Sequence, residues 1–170
     1  MFINTLHLFN LYVIVSIVKV FKETKRTLFT KWRHTHMNKQ HLVNEAIEAR
    51  KNSYSPYSKF KVGAAVLTNN NTIYRGCNVE NASYGLTNCA ERTAIFKAVS
   101  ENDSNIQAIA IVGDTEGPIS PCGACRQVIA EFSNVNTKVY LANLKGDIKE
   151  TTIEELLPDY FTPSDLSMED

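Results

Sequence analysis

Apolar and polar positions along the chain switch between helical and strand periods. From Asn38 to Ser53 the apolar residues Leu42, Val43, Ala46, Ile47 and Ala49 recur near helical spacing, with Glu45, Glu48, Arg50 and Lys51 between them. This predicts an amphipathic first helix. Turn formers at Asn52 to Pro56 end it, and the small residues of Lys61 to Thr68 predict a strand. The run Asn69-Asn70-Asn71 suits a hairpin turn into a second strand, Thr72 to Cys77. A helix is predicted from about Asn88 to Ser100, with Asn88 as its cap and Ala90, Ala94, Ile95 and Ala98 on its apolar face. Ile106 to Val112 is short and almost continuously apolar, as a central strand buried on both faces would be. Pro118 to Pro121 reads as a loop and Gly123 to Phe132 as a helix with Val128, Ile129 and Phe132 inward. Lys138 to Ala142 is a further strand, the turn at Asn143 to Asp147 leads to a last strand near Ile148, and Ile153 to Leu157 forms a short helix. Helices alternating with strands predict one layered α/β domain, and no internal repeat or low-complexity tract interrupts it.

The leading segment, Met1 to His36, departs from this pattern. Its apolar run, Leu11 to Val18, is followed by Lys19, Lys22, Lys25, Arg26, Lys31 and Arg33. A membrane span needs roughly 20 mostly apolar residues, a length reached here only by counting Asn4, Thr5, His7 and Asn10. A secretory signal is a poor fit as well, because no basic residue precedes the apolar part and no small-residue cleavage pattern follows. We therefore expect residues 1–36 to be an upstream extension and Met37 to open the functional domain, 37–170, in preference to a membrane tether. Were the run an anchor, its basic C-terminal flank would hold the rest of the chain in the cytoplasm.

Charge sharpens the division. Residues 1–36 hold six Lys/Arg against one Glu, leaving twelve Lys/Arg against seventeen Asp/Glu in the remainder. A mildly acidic body is a poor partner for nucleic acid, whose binders carry a basic stripe that releases counterions from phosphates. Four cysteines in 170 residues do not make a disulfide framework, and Cys-x-x-Cys in a reducing, cytoplasmic setting reads as metal or redox chemistry.

The chemistry concentrates in Cys89-Ala90-Glu91-Arg92 and Pro121-Cys122-Gly123-Ala124-Cys125. Three thiolates make a zinc site one protein ligand short of the four that close a structural site. A catalytic site keeps that position for water or substrate. The histidines, His7, His34, His36 and His41, all lie upstream, and the remaining cysteine, Cys77, is assigned to packing. Cys89 and Cys122 fall near the starts of predicted helices, where about half a positive charge favours thiolate over thiol. Three thiolates leave the centre negative, and Arg92 and the helix termini are the candidates to offset them. A lone Cys-x-x-Cys would equally suit a thioredoxin-type dithiol, but redox chemistry gives no reason for Cys89 with Glu91 beside it. Glu91 would ordinarily be a first-turn acid at a helix N-terminus. Two residues from a metal ligand, it is placed instead to take a proton from water and pass it to a leaving group.

In these motifs, together with Phe60-Lys-Val-Gly-Ala-Ala65, Cys77-Asn-Val-Glu-Asn81 and Ser120-Pro-Cys-Gly-Ala-Cys-Arg126, the sequence resembles the zinc-dependent cytidine deaminase family. The form it resembles is the compact one, in which three cysteines hold zinc and Cys-Ala-Glu replaces His-x-Glu. The resemblance spans nearly everything after Met37 and implies a three-layer α/β/α domain with a mixed central sheet. It implies one Zn²⁺ per subunit on Cys89, Cys122 and Cys125, with Arg92 bonded to the thiolates. Glu91 would activate water, protonate N3 of the pyrimidine and help ammonia leave C4. The backbone near Ala90 and Ser120 would hold the base edge, and Phe60 would pack against the base. Asn78 and Glu80 would bind the ribose hydroxyls within a lining that runs through Val79, Asn81, Ala82 and Ser83 to Tyr84. Phe161 would be lent by a neighbouring subunit of a homotetramer.

The residues support these roles independently to different degrees. Asn78 and Glu80 alternate along an extended segment and so share a face, though alone they would more often be solvated loop residues. A carboxylate at the sugar repels phosphate, which favours nucleoside over nucleotide. Phe60 and Phe161, taken singly, are more often core than ligand platforms. The expected activity is deamination of cytidine and deoxycytidine to uridine and deoxyuridine in pyrimidine salvage. The rivals are the same chemistry on another cytosine-bearing small molecule or an exposed nucleic-acid base, a non-catalytic zinc-stabilised binding module, and a redox dithiol.

Overall fold

A computed structural model describes residues 39–162 and 165–166. The expectations for residues 1–36 lie outside the described residues. Helix α1 (Lys39–Arg50) is followed by strands β1 (Val62–Thr68) and β2 (Ile73–Cys77), a single 3₁₀ turn at Tyr84–Leu86, and helix α2 (Ala90–Ser100). Strand β3 (Ile106–Gly113), helix α3 (Gly123–Glu131), strands β4 (Lys138–Asn143) and β5 (Ile148–Thr151), and the short helix α4 (Ile153–Leu156) complete the unit.

The five strands form one mixed sheet in the order β2-β1-β3-β4-β5. The β1–β2 and β1–β3 pairs are antiparallel, β3 and β4 are parallel across the α3 crossover, and β5 returns antiparallel to β4. Asn71, in the left-handed region at φ 59°, turns the β1–β2 hairpin, and its N–H bonds the Thr68 carbonyl at 2.9 Å. Strand β3 is central, as its apolar run predicted, with Gln107 its one exposed position.

Two glycines fix the spacing of the layers. A Cβ at Gly63 would lie 2.0 Å from the Ala46 carbonyl oxygen of α1, and one at Gly76 would lie 2.3 Å from the Ala94 nitrogen of α2. Gly76 pairs with Ala64, the neighbour of Gly63, so these glycines face opposite sides of the sheet. Helix α1 therefore covers one face, across β1, β3 and β2. The other face carries the larger core, in which Val66, Ile109, Ile111, Val139 and Leu141 meet Ile95 of α2, Ile129 of α3 and Ile153 of α4. Burying each such aliphatic side chain contributes about 1.5–3 kcal/mol. The three-layer α/β/α arrangement thus matches the expected fold. Among the described residues no helix is long and apolar enough to cross a membrane.

Candidate metal centre and substrate cavity

Two of the helices on the larger-core face, α2 and α3, begin at a cysteine. Cys89 is the N-cap of α2 and Cys122 the N-cap of α3, each in extended backbone, while Cys125 sits in the first turn of α3. This corrects one expectation: Asn88 is not the cap. Its side-chain amide donates to Thr93 Oγ1 at 3.0 Å, and the helix starts one residue later than a cap at Asn88 would set it. Both N-cap side chains sit at the positive end of the peptide dipoles, where negative charge is favoured.

The three Sγ atoms lie within 4.8 Å of one another, and Cys89 Sγ is 3.9 Å from Cys122 Sγ. Tetrahedral zinc with Zn–S bonds of about 2.3 Å places sulfurs roughly 3.8 Å apart, so the donor set fits the ion in identity and spacing. Cys77 lies outside the group. The Cys89 thiol, hydrogen-bonded first by Cys125 and then by Arg92 and Cys122, drops to about 5. Cys125 is pushed up, by that same bond to Cys89, by burial and by the nearby Glu91 charge. The cluster thus favours ionisation at Cys89 and opposes it at Cys125, and binding a metal would require the remaining thiol protons to leave.

Arg92 reaches the cluster from α2, where Nη2 donates to the Thr87 carbonyl at 3.1 Å and to Cys89 Sγ at 3.6 Å. Its Nε is buried without a hydrogen-bond partner among the described residues, as expected of a guanidinium held for its charge in a thiolate-rich pocket. Glu91, 4% exposed, lies in the first turn of α2, and burial pushes its carboxyl above the ordinary range. Ala90 is fully buried at the same helix start.

The stretch expected to line the substrate lies on a small backbone ladder. Val79 bridges Tyr54 in parallel and Asn88 antiparallel. Asn78 and Glu80, flanking Val79, do share a face, and both engage the loop between α1 and β1. Asn78 Oδ1 accepts from Ser53 Oγ and from the Val62 N–H at 2.9 Å, and Nδ2 donates to the Phe60 carbonyl at 2.8 Å. Glu80 Oε2 accepts from the N–H groups of Tyr57 at 2.9 Å and Ser58 at 3.2 Å, and Oε1 accepts from Ser58 Oγ. The Ser58 hydroxyl first, then these backbone donors and Lys59, hold the Glu80 carboxyl below its ordinary range against a partial desolvation. A cavity of about 320 Å³ opens beside it, lined by Tyr57, Ser58, Glu80, Tyr84 and Thr87. Thr87 joins this cavity to the metal cluster, since its carbonyl and Cys89 Sγ share Arg92.

The remaining expected residues spread outward. Phe60 is 41% exposed and Val79 43%, so neither is core, and Asn81, Ala82, Ser83 and Tyr84 are exposed too. Phe161 is exposed on the segment after α4, its carbonyl held by Gln127 Nε2 at 2.8 Å. Sequence reasoning missed Arg126, which donates to the Pro121 carbonyl and Ser120 Oγ, both at 2.9 Å, and to the Leu156 carbonyl. It fixes the loop that delivers Cys122. Ser53, Tyr57 and Ser58 were missed as well, because Ser53 lies among the turn formers of Asn52 to Pro56 and the other two directly follow them.

A three-layer α/β domain that presents ionisable sulfur from two helix starts, with a buried acid at their side, is a zinc-dependent hydrolase. The model for the cytidine and deoxycytidylate deaminase zinc-binding region matches residues 36–142. A cytidine deaminase of Sporosarcina psychrophila is 60% identical over 131 residues, covering 77% of this chain and 96% of that protein. One from Halalkalibacterium halodurans is 59% identical over 131 residues, covering 77% and 99%. The crystal structure of cytidine deaminase from Burkholderia pseudomallei superposes with a TM-score of 0.72 at 52% identity, covering 74% of this chain and all of that one. The chain belongs to the cytidine and deoxycytidylate deaminase family, and its cofactor is zinc.

Proposed function

We propose that this protein deaminates cytidine and deoxycytidine hydrolytically, giving uridine or deoxyuridine and ammonia, and serves pyrimidine nucleoside salvage in the cytoplasm. The observation that carries this reading is the gathering of Cys89, Cys122 and Cys125 beside the buried Glu91, in a chain of this family. Zinc, when bound, supplies the Lewis acidity that makes water a nucleophile at neutral pH. The three cysteines hold it, and Arg92 offsets their charge. Glu91 takes a proton from the attacking water and places it on N3 of the pyrimidine. The water oxygen bonds to C4, the C4–N bond breaks, and Glu91 carries the second proton to the departing amine. Water's two hydrogens thus end on N3 and on ammonia, and its oxygen on uridine.

Around this centre, the backbone near Ala90 and Ser120 holds the base edge and Phe60 packs on the ring. Glu80 takes a ribose hydroxyl, and the remaining N–H of Asn78 takes another, within the lining from Asn78 to Tyr84. Residues 37–170 form the catalytic domain. The functional unit is a homotetramer in which Phe161 reaches a neighbour's site. In support, Phe161 is exposed, as are Phe60 and the adjacent rings of Tyr57 and Tyr84, whose centroids lie 5.9 Å apart, and such aromatic surface is what a neighbouring subunit would cover. Four free cysteines among the described residues agree with a reducing compartment.

The test is loss of cytidine absorbance in the ultraviolet on purified protein, run beside a cytosine-containing oligonucleotide. Nucleoside should turn over and oligonucleotide should not. Glu91→Gln should lower kcat by at least the 10²–10⁴-fold typical of general acid–base groups, with zinc content unchanged by elemental analysis. Full activity in that variant would remove the proton-shuttle role, and no activity in the native protein would leave a zinc-stabilised binding module.

A further inference from the structure

The Ser58 hydroxyl, in the cavity wall, has no role in this scheme. It donates to Glu80 Oε1 and accepts from the Phe60 N–H at 3.0 Å. A single oxygen therefore joins the residue proposed to hold the sugar to the residue proposed to hold the base. The backbone between them is special too. Lys59 adopts φ 59°, in the left-handed region that costs a non-glycine residue energy, and its N–H closes the turn on the Ser55 carbonyl at 3.1 Å. Within that turn the consecutive N–H groups of Tyr57 and Ser58 converge on Glu80 Oε2 while the Ser58 side chain turns to Oε1.

A carboxylate offers about four acceptor positions. Three are filled from the protein, by Tyr57 N, Ser58 N and Ser58 Oγ. One position then remains, in a fixed direction, at the edge of a cavity of about 320 Å³. A carboxylate held in this way has no rotamer freedom left to lose when a hydroxyl arrives, and preorganisation of that kind lowers the cost of binding. We propose that Ser58 is a positioning residue that makes the site selective for sugar hydroxyls: it fixes Glu80 so that one acceptor position faces the nucleoside, and it keeps Phe60 in register with it. The proposal rests on the reading of Glu80 as the sugar contact.

The test uses steady-state kinetics with cytidine and with 2′,3′-dideoxycytidine on the native protein, Ser58→Ala, Ser58→Thr, Glu80→Ala and the Ser58→Ala/Glu80→Ala double variant. Ser58→Ala should raise KM for cytidine about tenfold with kcat within about twofold, the pattern of lost uniform binding. KM for the dideoxynucleoside should stay unchanged, and Ser58→Thr, which keeps the hydroxyl, should restore cytidine binding. In the Glu80→Ala background, loss of Ser58 should add nothing further. An equal rise for both nucleosides, or full additivity with Glu80→Ala, would reduce Ser58 to loop stability and overturn the proposal. Glu80→Ala without effect on cytidine KM would instead remove the reading of Glu80, an outcome distinct from Ser58→Ala without effect beside a defective Glu80→Ala. Should Ser58→Ala not fold, Ser58→Cys, with a much weaker donor, is read in the same way.

Discussion

The two halves of the site are built on opposite plans. The metal half is made from secondary structure: cysteines at the first residues of α2 and α3, both helices seated on the same face of the sheet, with Ala90, Glu91 and Cys125 buried. The half proposed to hold the sugar is made from loops, a left-handed turn at Lys59 and a short ladder through Val79, with Tyr57, Phe60 and Tyr84 exposed around it. Chemistry that tolerates little misplacement rests on rigid elements, while recognition is left to segments that neighbouring surfaces can complete. Disturbance of the first half should therefore cost catalysis and metal, and disturbance of the second should cost affinity.

The harshest way to break the comparison is within the metal half. Cys125→Ala removes a fully buried ligand, and zinc affinity should fall by more than the about 10–100-fold that loss of an outer-shell partner costs. Activity should vanish and the thermal midpoint should drop, because metal binding free energy is also folding free energy. Metal titration and differential scanning calorimetry read both. A smaller effect is expected from Gly76→Ala, which touches no ligand. Its Cβ would press on Ala94 N and the Ala90 carbonyl, and an overpacked contact of this kind costs about 1–3 kcal/mol in denaturant unfolding. Because α2 would be lifted with Cys89 at its head, kcat should fall while KM for cytidine changes little.

The mildest prediction concerns the sugar half and pH. The Glu80 carboxyl is held below its ordinary range, chiefly by the Ser58 hydroxyl. A carboxylate of depressed pKa stabilises the fold above its unfolded value, about 4.3, and loses that contribution as pH falls through its folded value. The thermal midpoint of the native protein should thus decline more steeply below about pH 4 than that of Glu80→Gln. Equal slopes would mean that the carboxylate is not fixed by its donors.

The contrast also sets what could be read from residues alone. Periodicity located the main strands and helices of the described unit to within a few residues, because most of them bury an apolar face such as Ala90, Ala94, Ile95 and Ala98, whereas β5, which buries only Thr151, was placed by the turn before it. The cysteines and Glu91 were legible because metal chemistry restricts residue type. Asn88 was misread as a cap because Asn is a good one in isolation, whereas here its amide turns to Thr93 and cysteine takes the position. Ser58 and Arg126 were illegible because their partners, Glu80 and the Leu156 carbonyl, lie 22 and 30 residues away. Side-chain clamps across such distances leave no period. Asn78 was read as facing the sugar, yet most of its amide is committed to the loop from Ser53 to Val62.

The rung between Val79 and Asn88 places the peptide bearing Cys89 directly after a residue that is paired, backbone to backbone, with the nucleoside-lining segment. On the proposed reading of this segment, a sugar that displaced Val79 would pull on Asn88 through that rung and so strain the peptide of Cys89. Poor fit at one end of the site would then register at the other without any hinge.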